Sequence, residues 1–176
     1  MSAFSRRLCQ GAFVIVAVAL LAAPVAHAER TALFESDDKP DLKEGEVRLP
    51  PYPAPADLLA FDVSSSATAS FFIDARSLSL ADDGVVRYTL VVRGAGGAEN
   101  VSYEGIRCET AERKLYAIGR GGEWVRSGNV AWTQIADNAL NRQHAVLFKD
   151  YFCRPGETRP VLDQIARLFR YGALPR

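Results

Sequence analysis

Three kinds of side chain in this sequence could do chemistry: cysteines, a histidine and carboxylates. Cys108 closes Tyr103-Glu104-Gly105-Ile106-Arg107-Cys108, and Cys153 closes Asp150-Tyr151-Phe152-Cys153. As thiolates they would be nucleophiles or metal ligands; as a disulfide they would be a staple. The only histidines are His27 and His144. A zinc site generally draws on several His or Cys ligands, so no metal or cofactor is expected. Glu104, Glu109 and Glu112 could bring carboxylates together as in a glycosidase pair, but Glu109 and Glu112 flank a turn, where solvation is the simpler reading. A Ser–His–Asp arrangement through His144 is not forbidden by spacing. No Gly-x-Ser-x-Gly elbow is present, and no serine stands in a strained-turn motif. The glycines at 94–97 and 119–122 lie between strand patterns, which suits hairpin turns and not phosphate loops. No catalytic residue is assigned, and His144 is expected to pack at a helix–sheet boundary or to face solvent.

The start of the chain decides between thiol and disulfide. Arg6 and Arg7 precede an apolar run, Gly11 to Ala23, and Ala26-His27-Ala28 has the small-x-small pattern of a cleavage site. Residues 1–28 therefore read as a signal peptide. The alternative is an uncleaved anchor, for which the run is short. Cys9 lies before the apolar run and is lost with the signal. The expected location is the periplasm or the cell surface. With 28 residues removed from 176, 148 remain, enough for one domain. They carry 19 basic and 21 acidic side chains, a net charge of −2. A near-neutral chain has no overall pull on nucleic acid, and no later segment is apolar enough to span a membrane. In an exported chain Cys108 and Cys153 are expected to pair with each other; free thiols or an intermolecular bond are the alternatives.

The elements that must position these residues follow from periodicity. Residues 29–57 read as a proline-rich arm, with Pro50, Pro51, Pro53 and Pro55 favouring extended structure. Two readings stay open: a disordered spacer, or an arm packed on the domain through Phe34, Leu49 and Tyr52. From Leu58 to Arg176 the pattern is that of a single domain. Strands are expected at Leu58 to Val63, Ser70 to Leu80, Val85 to Arg93, Asn100 to Thr110, Lys114 to Gly119 and Glu123 to Arg126. In the third of these, Val86, Tyr88, Leu90 and Val92 share one face, opposite Arg87, Thr89 and Arg93. In the fourth, Val101 and Tyr103 are out of phase with Ile106 and Cys108, which predicts a bulge at Glu104-Gly105. Helical spacing begins at Asn138 (Leu140, His144, Leu147, Phe148, Tyr151), capped by Asp137 or Asn138. A second helix is expected from Thr158 to Tyr171, with Pro160 in its first turn. The fold class is α+β: an antiparallel meander of about five to six strands with two C-terminal helices on one face.

That arrangement leaves a sheet face for binding. Arg87, Arg93, Arg107 and Trp124 are the candidate surface, able to meet an envelope protein or a cell-wall component. Ordinary cross-strand pairing is the simpler reading of the arginines, as is core packing for the tryptophan.

Val85-Val86-Arg87-Tyr88-Thr89-Leu90, the run from Asn100 to Cys108, Tyr116-Ala117-Ile118-Gly119, Trp124, Trp132 and Asp150-Tyr151-Phe152-Cys153 together resemble the cryptic neisserial protein-like family of exported proteobacterial envelope proteins. The likeness covers about Phe71 to Cys153, and the proline-rich arm fits it. It implies compartment and fold but no catalytic residues, since the family has no assigned activity. Phe72-Ile73-Asp74, followed by hairpin strands and a cysteine, gives a looser architectural likeness to protein E-type surface adhesins. The function expected is a non-enzymatic binding or structural module of the envelope. The alternative is a periplasmic hydrolase acting on an envelope polymer through carboxylates such as Glu104.

Overall fold

A computed structural model describes residues 43–128, 130–138, 141–154 and 159–172. They belong to one structural unit, Pro40–Arg176. The expected signal peptide, the first part of the arm, Leu140 and Thr158 lie outside the described residues.

Six strands form an antiparallel meander in chain order: β1 (Leu58–Phe61), β2 (Ser70–Leu80), β3 (Val85–Arg93), β4 (Glu99–Arg107), β5 (Glu112–Arg120) and β6 (Glu123–Arg126). A seventh, β7 (Thr133–Gln134), pairs with the other half of β5. The hairpin glycines act as read from the sequence: Gly84, Gly97, Gly121 and Gly122 all take positive φ, which costs glycine little. In β2 the register shifts between Asp74 and Ser79, and Ser77 Oγ accepts the Thr89 N–H at 2.8 Å. A side chain there replaces a missing rung of the ladder.

The helices cover one face. α1 (Arg142–Val146) runs directly into a π-helical segment, Leu147–Phe152, and α2 (Leu162–Tyr171) follows. Leu147, Tyr151, Phe152, Ile165 and Phe169 pack on Phe61, Ile73, Val86, Tyr88, Leu90 and Ile106. Both helices start later than their patterns suggest. Asn138 instead makes a turn, its Oδ1 accepting the Asn141 N–H at 3.0 Å. Pro160 precedes α2 and is not in its first turn. The widening to π geometry sets Tyr151 stacked on Phe169 at 4.2 Å between centroids and Phe152 against Tyr88 at 5.0 Å.

The opposite face is covered too. Val47 and Leu49 of the arm, with Trp124, pack on Tyr103, Tyr116 and Ala117. This removes the bulge expected at Glu104-Gly105. β4 pairs with β3 without interruption. Val101 and Tyr103 face the arm while Ile106 faces the helices, so the two phases are two buried faces and not one face restored by a kink. The bulge lies across the ladder in β5. Tyr103 pairs with Ala117 and Glu104 with Leu115, leaving Tyr116 as the extra residue. It turns Tyr116 and Ala117 to the same side.

A Cys108–Cys153 disulfide joins the turn after β4 to the end of the π-helical segment, with Cα atoms 5.3 Å apart. It closes a loop across 45 residues of sequence, which corresponds to roughly 4 kcal/mol of denatured-state entropy in the chain model. Cys108→Ala with Cys153→Ala is therefore expected to lower the unfolding free energy by that order, read as a lower urea midpoint. An unchanged midpoint would mean that the helices are held to the sheet by packing alone.

Candidate functional site

Two polar clusters lie on opposite faces of the sheet; the one around Glu104 is sealed under the helices, whereas Glu44 and Lys114 of the other border an open surface pocket. On the helix side, Glu104 is 4% exposed. Its Oε1 accepts the Ser102 hydroxyl at 2.7 Å, and its Oε2 accepts the Tyr88 hydroxyl at 3.1 Å. His144 Nε2 is 2.7 Å from the same Oε2. An ionised carboxylate only accepts, so Nε2 carries the proton and donates. β4 supplies Glu104 and Ser102, β3 supplies Tyr88, and α1 lowers His144 onto them. Burial alone would raise the Glu104 carboxyl, but His144 and the hydroxyl donor Ser102, with the charge of Arg113, hold it below the ordinary value of 4.5. The same carboxylate and burial push the Tyr88 phenol upward. His144 does pack at the helix–sheet boundary, and its Nδ1 has no hydrogen-bond partner among the described residues.

On the arm side stands a second network. Arg87 reaches Asp83 at 2.6 Å and 3.2 Å, a fork on one carboxylate, and Glu44 Oε1 lies 3.8 Å away. Glu44 Oε2 accepts Lys114 Nζ at 2.7 Å, and Asp83 accepts the Gly45 N–H at 2.8 Å. Asp83 is desolvated, which raises its carboxyl, but Arg87 and the Gly45 and Val85 amides outweigh this and hold it below the usual range. Arg87 also lies over the Tyr116 ring, 5.6 Å from its centroid. Burial raises the Tyr116 phenol, and neighbouring Glu44 adds to the rise. This network ties Glu44 and Gly45 of the arm to the β2–β3 turn and to β5.

The strand register sets Arg87, Arg93 and Arg107 on the same face, away from the helices. They do not form an open basic patch. Arg87 is 4% exposed and Arg107 is also buried, with its guanidinium 4.2 Å from the Trp132 ring centroid. Only Arg93 reaches solvent, paired with Glu99 at 2.7 Å over the Phe72 ring. Trp124 is half-buried, and its indole N–H donates to the Pro50 carbonyl at 2.8 Å. Glu109 and Glu112 do not join Glu104: Glu112 accepts Thr110 Oγ1 at 2.7 Å at the far end of β5. Among the described residues no three His, Cys, Asp or Glu side chains gather tightly enough to hold a metal ion. No helix among them is long and apolar enough to cross a membrane.

Sequence reading missed the Glu104–His144 pair, although both residues stood out. The strand phase had assigned Glu104 to a bulge, and lone histidines carry no spacing signal. Glu44 and Asp83 were missed because nothing local marks an acid that will be buried by a distant arm.

Two outcomes test these assignments. Glu104 is depressed in the folded state, so the unfolded chain binds its proton first as pH falls. Its contribution is complete above about 4.5 and drains away as pH drops through the lower folded value. Glu104→Gln should be less stable than the parent near neutrality, with the gap in urea midpoint closing below about pH 4.5. Asp83, depressed, and Asp74, raised mainly by burial, are common to both proteins and cancel. A gap that does not change with pH would contradict an ionised Glu104. Separately, Arg87→Ala leaves Asp83 buried without its partner and should cost about 3–5 kcal/mol. Arg93→Ala, at an exposed pair, should cost under about 1 kcal/mol. Equal losses in chemical denaturation would mean that Arg87 is not sealed.

Comparison with known proteins supports the likeness in β3–β5. The model of the CNP1-like family matches residues 37–169, which takes in most of the arm, the sheet and nearly all of α2. No curated protein and no solved structure was found to match. With most of the chain covered by that match, the protein belongs to the CNP1-like family.

Proposed function

We propose that this chain is an exported domain of the cell envelope with a binding or structural role, located in the periplasm or at the cell surface, whose partner is an envelope protein or a cell-wall component. The observation that carries the reading is the state of Glu104. A general acid or nucleophile acting on a polymer has to touch it. This carboxylate accepts from Ser102, Tyr88 and His144 beneath the helices and presents no free face. Its arrangement fits a polar pin between α1 and the sheet. The signal-like segment supports export, and the Cys108–Cys153 disulfide is consistent with an oxidising compartment.

The hydrolase alternative would need another carboxylate or an opening of the helix layer. Purified mature protein is expected to show no turnover of peptidoglycan or envelope polysaccharides, and periplasmic fractions should contain a chain beginning at Glu29. Turnover that disappears in a folded Glu104→Gln variant would overturn the non-enzymatic reading. Retention in the cytoplasm with an intact residue 1 would overturn the compartment.

A further inference from the structure

We infer that the arm-side face of the sheet is a recognition groove for proline-rich extended peptide, filled in this molecule by the chain's own Leu49-Pro50-Pro51-Tyr52-Pro53. Pro50, Pro51 and Pro53 each fix φ and lack an N–H, so this stretch is pre-set near a polyproline conformation. It forms no strand or helix. The surface that receives it is aromatic: Leu49 and the upstream Val47 pack on Tyr103 and Tyr116, and the proline stretch meets Trp124. Tyr103, Tyr116 and Trp124 form a contiguous aromatic floor: Tyr103 lies 5.7 Å from Tyr116 and 6.1 Å from Trp124 between centroids. Trp124 donates its indole N–H to the Pro50 carbonyl. An aromatic groove with an indole donor aimed at a proline-rich backbone is the physical basis of polyproline recognition.

Gly119 supplies the pocket for the aromatic side chain of the ligand. A Cβ at that position would stand 2.6 Å from the Tyr52 hydroxyl, 2.9 Å from its ring and 2.8 Å from Val101 Cβ. Only glycine leaves room for the Tyr52 ring, which also packs on Trp124 at 5.3 Å. The position needs no unusual backbone angle, since Gly119 is absent from the positive-φ glycines of this fold. Its lack of a side chain is explained by the ring it admits.

The occupant is held in a way that permits exchange. No ladder of backbone bonds fastens it among the described residues. The attachments are the indole donor, the Tyr52 contacts, the packing of Val47 and Leu49, and the Glu44 and Gly45 anchors upstream. Segments with few backbone bonds open at low free energy. The partner class that follows is a proline-rich segment carrying a tyrosine after two prolines, entering as the arm lifts. This deepens the proposed binding role by naming a surface and a ligand chemistry, and it rests on that reading for its use in the envelope.

The test uses the full mature chain and a synthetic peptide of its residues 44–55. Tyr52→Ala empties the Gly119 notch while leaving the groove intact. The readout is the Trp124 indole N–H resonance, assigned by its loss in Trp124→Phe. The peptide should shift this resonance saturably in Tyr52→Ala. The parent, whose arm competes at an effective concentration on the order of millimolar, should need at least about tenfold more peptide. A peptide with alanine at the tyrosine position should not shift it. Should Tyr52→Ala fail to fold, Pro50→Gly with Pro51→Gly loosens the same segment and takes its place. No saturable shift, or equal response in parent and variant, overturns the groove. Dimerisation of the parent by mutual arm exchange, without peptide binding, overturns the separate-partner form. None of these outcomes depends on the turnover assay, so the two readings fail separately.

Discussion

A strand buried on both faces needs an apolar or fully paired side chain at every position, not at alternate ones. β3 is buried from Val85 to Val91, where only the Thr89 hydroxyl and Arg87 Nε lack a hydrogen-bond partner among the described residues, and β4 is buried over most of its length. An antiparallel sheet usually leaves one face to water, so this double burial is the constraint from which the other features follow. One face takes the helices, which are fastened by the disulfide. The other takes arm residues 43–54, which form no strand or helix. Polar residues on the central strands must then find partners inside, and the two networks around Glu104 and Arg87 are those partners. Each links the sheet to its cover: Glu104 to α1 through His144, and Arg87 to the arm through Glu44 and Asp83.

The two networks differ in what they cost to disturb. Glu104 is satisfied by three neutral or histidine donors close to its own strand, while Arg87 depends on acids from a turn and from the arm. A buried pair is a weak source of net stability but a strong penalty against any arrangement that separates its members. The Arg87 network therefore favours the register in which Glu44 sits over β5. It selects the arm's position more than it strengthens the fold. The glycines complete the fit. A Cβ at Gly105 would meet the Tyr116 hydroxyl at 2.6 Å, as one at Gly119 would meet Tyr52. Two absent side chains make room for two tyrosines, Tyr116 on the sheet and Tyr52 on the arm.

Much of the sheet was legible in the sequence because hairpin glycines and alternation are local signals. β2, β3 and β6 end where their patterns end. The antiparallel meander with C-terminal helices follows directly. Local signals failed where the second cover mattered. Alternation in β3 correctly grouped Val86, Tyr88, Leu90 and Val92, but it also marked Arg87 and Thr89 as outward, and both are buried. The phase break in β4 was visible, yet its cause was a change of buried face, with the true bulge at Tyr116 on the neighbouring strand. β7 has two residues, too few to carry a period. The π-helical segment was read as ordinary helix because its apolar residues recur closely enough to a 3.6 repeat. The arginines shared a face as the alternation implied, but burial by the arm is a property of residues some forty positions upstream.

The claim that most depends on this arrangement is that the arm is a true second cover. Oxidative footprinting of the tyrosines in the native protein, read by mass spectrometry, tests it directly. Tyr88 lies under the helices, Tyr103 and Tyr116 lie under the arm, and Tyr171 is 83% exposed. Two-sided burial predicts slow labelling of Tyr88, Tyr103 and Tyr116 alike, with Tyr171 labelled fast. Labelling of Tyr103 and Tyr116 at the rate of Tyr171, with Tyr88 still protected, would show a sheet covered on one face only and would contradict it.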